Sequence, residues 1–151
     1  MLRHVSTGLT TPPDLLPTAD ANFGYLFRLA HQRFRGALDE SLKDLGLSAQ
    51  EYGVLSVFAS RPELTTSALA RIAQVSRQSM HAGVLRLEAA GLVERRARNQ
   101  RDVLVRLTQR GRSRLMSATE RVRAIENATL ADLTSAEERV VRGWLARVAA
   151  G

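Results

Sequence analysis

Three features of this 151-residue sequence predict a mostly α-helical fold built around one short β-hairpin. Apolar residues recur at three- and four-residue spacing along most of the chain from Phe23 onward, the period of a half-buried helix. A serine or threonine stands directly ahead of most of these stretches, where a side-chain hydroxyl can accept from the free amides of a first turn. Only two segments, 92–96 and 103–107, alternate apolar with polar residues as a strand does. That strand content is too small for a barrel or a sandwich.

The elements follow in order. Residues 1–19 are rich in Thr and Pro without periodicity and read as an arm. Phe23, Leu26, Phe27, Ala30, Phe34, Ala37, Leu38, Leu42 and Leu45 mark a first long helix, with Asp20 as its expected N-cap and Gly46 as its stop. Ser48-Ala49-Gln50-Glu51 is a capping box, in which hydroxyl and carboxylate satisfy each other's backbone amides. It opens a second helix through Tyr52, Leu55 and Phe58 that stops near Arg61-Pro62. Thr65 or Thr66 caps a short third helix to about Ala73, a turn follows at Gln74-Val75, and Ser76 caps a fourth helix ending at Gly91. After the hairpin, Thr108 caps a long fifth helix with a stripe at Leu115, Ala118, Val122, Ile125, Thr129 and Leu133. A second capping box, Thr134-Ser135-Ala136-Glu137, starts a last helix carrying Val140, Val141, Trp144, Leu145 and Val148. A tight helix pair followed by a hairpin, flanked by helices on both sides, is a winged helix-turn-helix with N- and C-terminal helical extensions.

Composition narrows the function. Hydrophobic residues make up 44% and charged residues 25%, enough for a packed core. Cysteine is absent, which removes disulfides, thiol nucleophiles, thiolate metal sites and thiol redox sensing. The three histidines, His4, His31 and His81, are not at ligand spacing, and no glycine-rich phosphate loop, nucleophile elbow or paired-carboxylate arrangement occurs. No metal, cofactor or catalytic residue is therefore expected. With no apolar run of transmembrane length and no signal-like N-terminus, the expected location is the cytoplasm.

The net charge is +7 and the sequence pI about 11.2, which points to an anionic partner. Its distribution is more telling. Between Arg61 and Arg114 twelve arginines face four acidic residues, a balance of +8, while the rest of the chain sums to −1. Phosphate attraction explains such concentration on the helix pair and hairpin, since each neutralised phosphate releases condensed counterions.

In a helix-turn-helix the second helix enters the major groove. On the fourth helix Met80, Val84 and Leu87 share one face and should point to the core. Arg77 can donate two bonds to guanine and Gln78 can pair with adenine. His81 lies on the same outer side. Ser76, Ser79 and the amides of the first turn suit phosphate or base contacts. Thr66 at the start of the preceding helix joins this set, and Arg86 further along suits phosphate. In the hairpin, Arg98 and Arg101 are the candidate contacts, with Arg101 at the tip able to enter a narrow minor groove and Asp102 or Glu94 able to orient it.

Residues 20–46 and 108–133, as helices, would each span about 40 Å. The segment 48–107 is too small to cover their apolar stripes, so a second copy is the economical cover and a two-fold interface the expected one. The competing arrangement is a monomer whose two ends fold together. The expected organisation is an arm at 1–19, a dimerisation helix at 20–47, a DNA-binding winged helix-turn-helix at 48–107 and dimerisation helices at 108–151.

Leu64-Thr65-Thr66-Ser67-Ala68-Leu69-Ala70, Val75-Ser76-Arg77-Gln78-Ser79, Leu87-Glu88-Ala89-Ala90-Gly91-Leu92-Val93-Glu94-Arg95 and Val105-Arg106-Leu107-Thr108-Gln109-Arg110-Gly111 together resemble the MarR family of bacterial transcriptional regulators, over roughly residues 23 to 148. The resemblance implies a homodimer on a pseudo-palindromic operator, usually a repressor, often released by small phenolic or other aromatic compounds. It also implies that Arg101 is the wing-tip arginine. Two departures stand out: Asn99 replaces an aspartate that commonly braces that arginine in a wing about two residues longer, and Ala82 replaces a common basic residue of the recognition helix. Two other functions remain open on the sequence, a DNA-coating protein without sequence preference or effector, and a protein–protein adaptor on the same scaffold. Residues of helices one, two and five, for example His31, Arg35 and Tyr52, could enclose a small anion or aromatic compound near the junction with the reading domain, though each also suits plain packing, and none is assigned to a pocket.

Overall fold

The computed structural model describes residues 17–99 and 103–151. Its elements run α1 (Phe23–Leu42), α2 (Ala49–Val57), β1 (Glu63–Thr65), α3 (Thr66–Ile72), α4 (Arg77–Ala89), β2 (Val93–Ala97), β3 (Val103–Leu107), α5 (Gln109–Thr129) and α6 (Ser135–Ala150), with a 3-10 turn at Lys43–Leu45. The mostly helical winged helix-turn-helix expected from the sequence is present. The chain falls into two compact units that divide within α1, between Arg33 and Phe34.

In the first unit, Asn22 and not Asp20 caps α1: the Tyr25 amide donates to Asn22 Oδ1 at 3.3 Å. Either side chain could accept, and the turn at Asp20 places the helix start two residues later. Phe23 and Phe27, one turn apart, stack with centroids 5.9 Å apart and remain exposed.

In the second unit the caps fall where the hydroxyls predict them. Ser48 accepts from Glu51, Thr65 from Ala68, Ser76 from Ser79, Thr108 from Gly111 and Thr134 from Glu137, with both capping boxes complete. Between the two expected helix-three caps, Thr65 is the one used. Gly46 and Gly91 take positive φ at +67° and +71°, ending α1's extension and α4. Gln74, between α3 and α4, also has φ +53°, a conformation that a side chain with Cβ adopts at a cost.

One strand was not foreseen. β1 pairs antiparallel with β3, giving a three-stranded sheet ordered β1-β3-β2. Its three residues are too few to show alternation, and their partners lie some forty positions away. The hairpin itself matches, shifted by one residue at β2, with Val93 opposite Leu107 and Ala97 opposite Val103.

The core gathers Leu42, Leu47, Val54, Leu55 and Phe58 with Leu69, Met80, Val84, Leu87, Leu92, Val105, Leu115, Ala118 and Val122. Each buried leucine contributes about 1.5–3 kcal/mol over its exposed state. Two arginines of α5 hold the end of α1: Arg114 donates to the Leu45 carbonyl, and Arg121 to the Ser41 carbonyl at 2.7 Å and to the Asp44 carboxylate. Hydrogen bonds from Arg121 thereby hold the Asp44 carboxyl below the usual range of an aspartate. By contrast α6 has no buried residue, and Val140, Leu145 and Val148 are exposed.

At the other end of α5, Thr108 Oγ1 donates to the Gly91 carbonyl at 2.6 Å and the Thr108 amide to Leu92 at 3.1 Å. A Cβ at Gly111 would lie 1.9 Å from the Leu92 carbonyl oxygen. Gly111→Ala should therefore destabilise the fold by about 1–3 kcal/mol or more, read as a lower urea midpoint. Asp44→Asn should lower the urea midpoint at pH 7. A depressed carboxylate stabilises above its unfolded pKa and loses that contribution as pH falls through the folded value, so the gap from the wild type should close below about pH 4.

Candidate nucleic-acid interface

The sequence dictates which side of α4 is free. Met80, Val84 and Leu87 are 3%, 1% and 2% exposed and fix the inner face. At 100° per residue Gln78 and Ala82 lie opposite that stripe with Ser79 and His81 on either side of them, while Arg77 lies on the stripe's own side one turn ahead of Met80; all five are exposed. Ser76 Oγ accepts from the Ser79 amide at 3.0 Å and donates to Ser79 Oγ at 2.9 Å, so both serines belong to the cap that aims the first turn. Thr66 is the first residue of α3 and half-buried. Ser76, Arg77, Gln78, Ser79 and His81 therefore share one exposed end of one helix.

Acidic partners sort the arginines of this region. Arg86 lies 3.4 Å from Glu51, whose other carboxylate oxygen accepts from the Ser48 amide, so it ties α4 to the start of α2. Arg95, half-buried on the inner face of β2, donates to Glu88 at 2.7 Å. Arg106 donates to Glu94 at 2.5 Å, directly across the β2–β3 ladder. Among the described residues Glu94 thus serves Arg106. Arg71, Arg77, Arg96 and Arg98 are exposed, with no ion pair among the described residues. Arg98 sits in the bend that follows β2. Arg101 and Asp102, like His4, lie outside the described residues, and the wing-tip reading with them.

The sequence-derived set omits Arg71. It lies in the last turn of α3, and its signal was its nearness to the turn rather than any motif. With Arg77, Thr65 and Ser67 it lines a polar groove of about 460 Å³ whose floor includes Ala70 and Val75. A second groove, about 500 Å³ and mainly apolar, runs between the end of α2 and α5, bounded by Phe58, Pro62, Leu107, Leu115 and Met116 with Arg112 beside them. His31 and Arg35 are exposed and Tyr52 packs against the core, and none of the three lines either groove. Among the described residues no group of three or more His, Asp or Glu could hold a metal, and no helix is long and apolar enough to cross a membrane.

These features match known proteins. The profile of the MarR family matches residues 45–102. The chain is 34% identical over 131 residues to the HTH-type transcriptional repressor Rv2887 of Mycobacterium tuberculosis, spanning 85% of this chain and 94% of that protein. It is similar in structure to the crystal structure of Rv2887 in complex with DNA, at 33% identity and a TM-score of 0.71, covering 85% of this chain and 98% of the other. The Rv2887 complex with salicylic acid is similar at 33% identity and a TM-score of 0.66, covering 86% and 98%.

Proposed function

Because the chain belongs to the MarR family, we propose that it is a sequence-specific DNA-binding repressor, working as a homodimer in the cytoplasm and released by a small aromatic compound. The observation that carries this reading is the exposed start of α4, where Arg77 opens the helix and Gln78 and His81 stand on the side turned away from the face locked in the core. Such a helix presents donors to base edges at fixed geometry. Ser76, Ser79 and Thr66 would contact the backbone beside it, and Arg98 the flanking groove, together with Arg101 at the wing. Arg86 would reach a phosphate only by leaving Glu51.

Residues 48–107 form the reading unit in this proposal, and 20–47 with 108–151 the pairing segments. Exposed Val140, Leu145 and Val148 on α6, and Phe23 and Phe27 on α1, are apolar surface that a second copy would cover. The relative bound to DNA supports the operator reading, and the relative bound to salicylic acid supports an aromatic carboxylate as effector. The apolar groove beside Arg112 offers ring contacts and a cation to such a molecule. Nothing in this assignment requires catalysis.

The operator is obtained by selecting bound duplexes from a random pool. Arg77→Ala should then cost about 1–3 kcal/mol on the best duplex and relax preference at one or two base pairs. Equal weakening on every sequence would make Arg77 a backbone contact instead. Millimolar salicylate should weaken operator binding about 5- to 150-fold, measured by fluorescence anisotropy. Unchanged affinity would remove aromatic carboxylates as effectors.

A further inference from the structure

We propose that Arg71 is a DNA-backbone contact: the polar groove between α3 and the start of α4 seats one phosphodiester of the duplex, with the Arg71 guanidinium as its counterion. The inference rests on the DNA-binding reading and adds to it a residue and the group it holds.

The groove is built from two helices and the residues that flank them. Arg71 stands in the last turn of α3 and Arg77 in the first turn of α4, with Thr65 and Ser67 contributing hydroxyls and no acidic residue on the lining. Both arginines are exposed and neither guanidinium has a hydrogen-bond or ion-pair partner among the described residues. That distinguishes them from Arg86, Arg95 and Arg106, whose charges are already answered by Glu51, Glu88 and Glu94. A concave site with the unanswered Arg71 guanidinium, two hydroxyl side chains and no carboxylate suits a singly charged group with two free oxygens, and a phosphodiester is that group.

Its place in the fold agrees. In a helix-turn-helix the first helix crosses the backbone while the N-terminus of the second reaches bases. A phosphate held from α3 would sit beside the base pair that Arg77 and Gln78 address. Arg71 thus sets depth and register for the reading helix without touching a base.

The test measures affinity of the full chain for its selected operator and for a random duplex across a series of salt concentrations. Arg71 is exposed and unpaired, so Arg71→Ala and Arg71→Lys should keep the wild-type melting temperature. Arg71→Ala should weaken both duplexes by the same factor and reduce the slope of log K against log salt by about 0.9 for each bound subunit. Arg71→Lys, which keeps the charge, should retain the wild-type slope. An unchanged slope for Arg71→Ala overturns the inference, and so does a loss confined to the operator. If the wild type itself shows no salt-dependent duplex binding, the DNA-binding reading fails, and this inference with it.

Discussion

The whole of the proposed reading surface depends on how one helix is held. α4 is gripped along its length by Met80, Val84 and Leu87, each nearly inaccessible, and at its C-terminal end by a junction with almost no free space. There the chain leaves α4 through Gly91, enters β2, returns along β3, and starts α5 with Thr108 bonded back to Gly91 and Leu92. Gly111 lets the first turn of α5 lie directly on the Leu92 carbonyl. Helix, wing and α5 therefore meet at one backbone contact. A shift of α5 would be transmitted to α4 because a packed core repositions in discrete steps and does not deform continuously.

Electrostatics divides the labour among the arginines. The sequence shows only a cluster of positive charge between Arg61 and Arg114. In the fold some of that charge is internal. Glu51, Glu88 and Glu94 each hold one arginine and fasten α4 to α2, β2 to α4, and β3 to β2. The most exposed of them, Arg106–Glu94, adds only about 0–1 kcal/mol to stability, and the other two are no more than partly buried. Their larger effect is to leave a smaller, defined set of free cations around the start of α4 and along the wing.

Local chemistry was legible in the sequence and distant pairing was not. Ser48, Thr65, Ser76, Thr108 and Thr134 announce helix starts because a hydroxyl reaches an amide only three residues ahead. The inner face of α4 follows from spacing alone. β1 escaped because Glu63–Thr65 becomes a strand only through β3. Asn22 displaced Asp20 because two equally good caps stand near one another and the preceding turn chooses between them. The Arg86–Glu51 contact joins residues 35 positions apart, beyond any motif. Of the proposed reading residues, Ser76, Arg77, Gln78, Ser79 and His81 could be named from a cap and their place at the start of a helix. Arg71 required the groove to be seen.

The central claim is that two copies of α4 enter successive major grooves on one face of a duplex. Guanine N7 methylation interference on the selected operator tests it most directly, because N7 lies in the major groove. The account predicts two symmetric patches of interference centred one helical turn apart, about 10–10.5 base pairs. A single patch, or protection with no effect of N7 methylation at all, would contradict it.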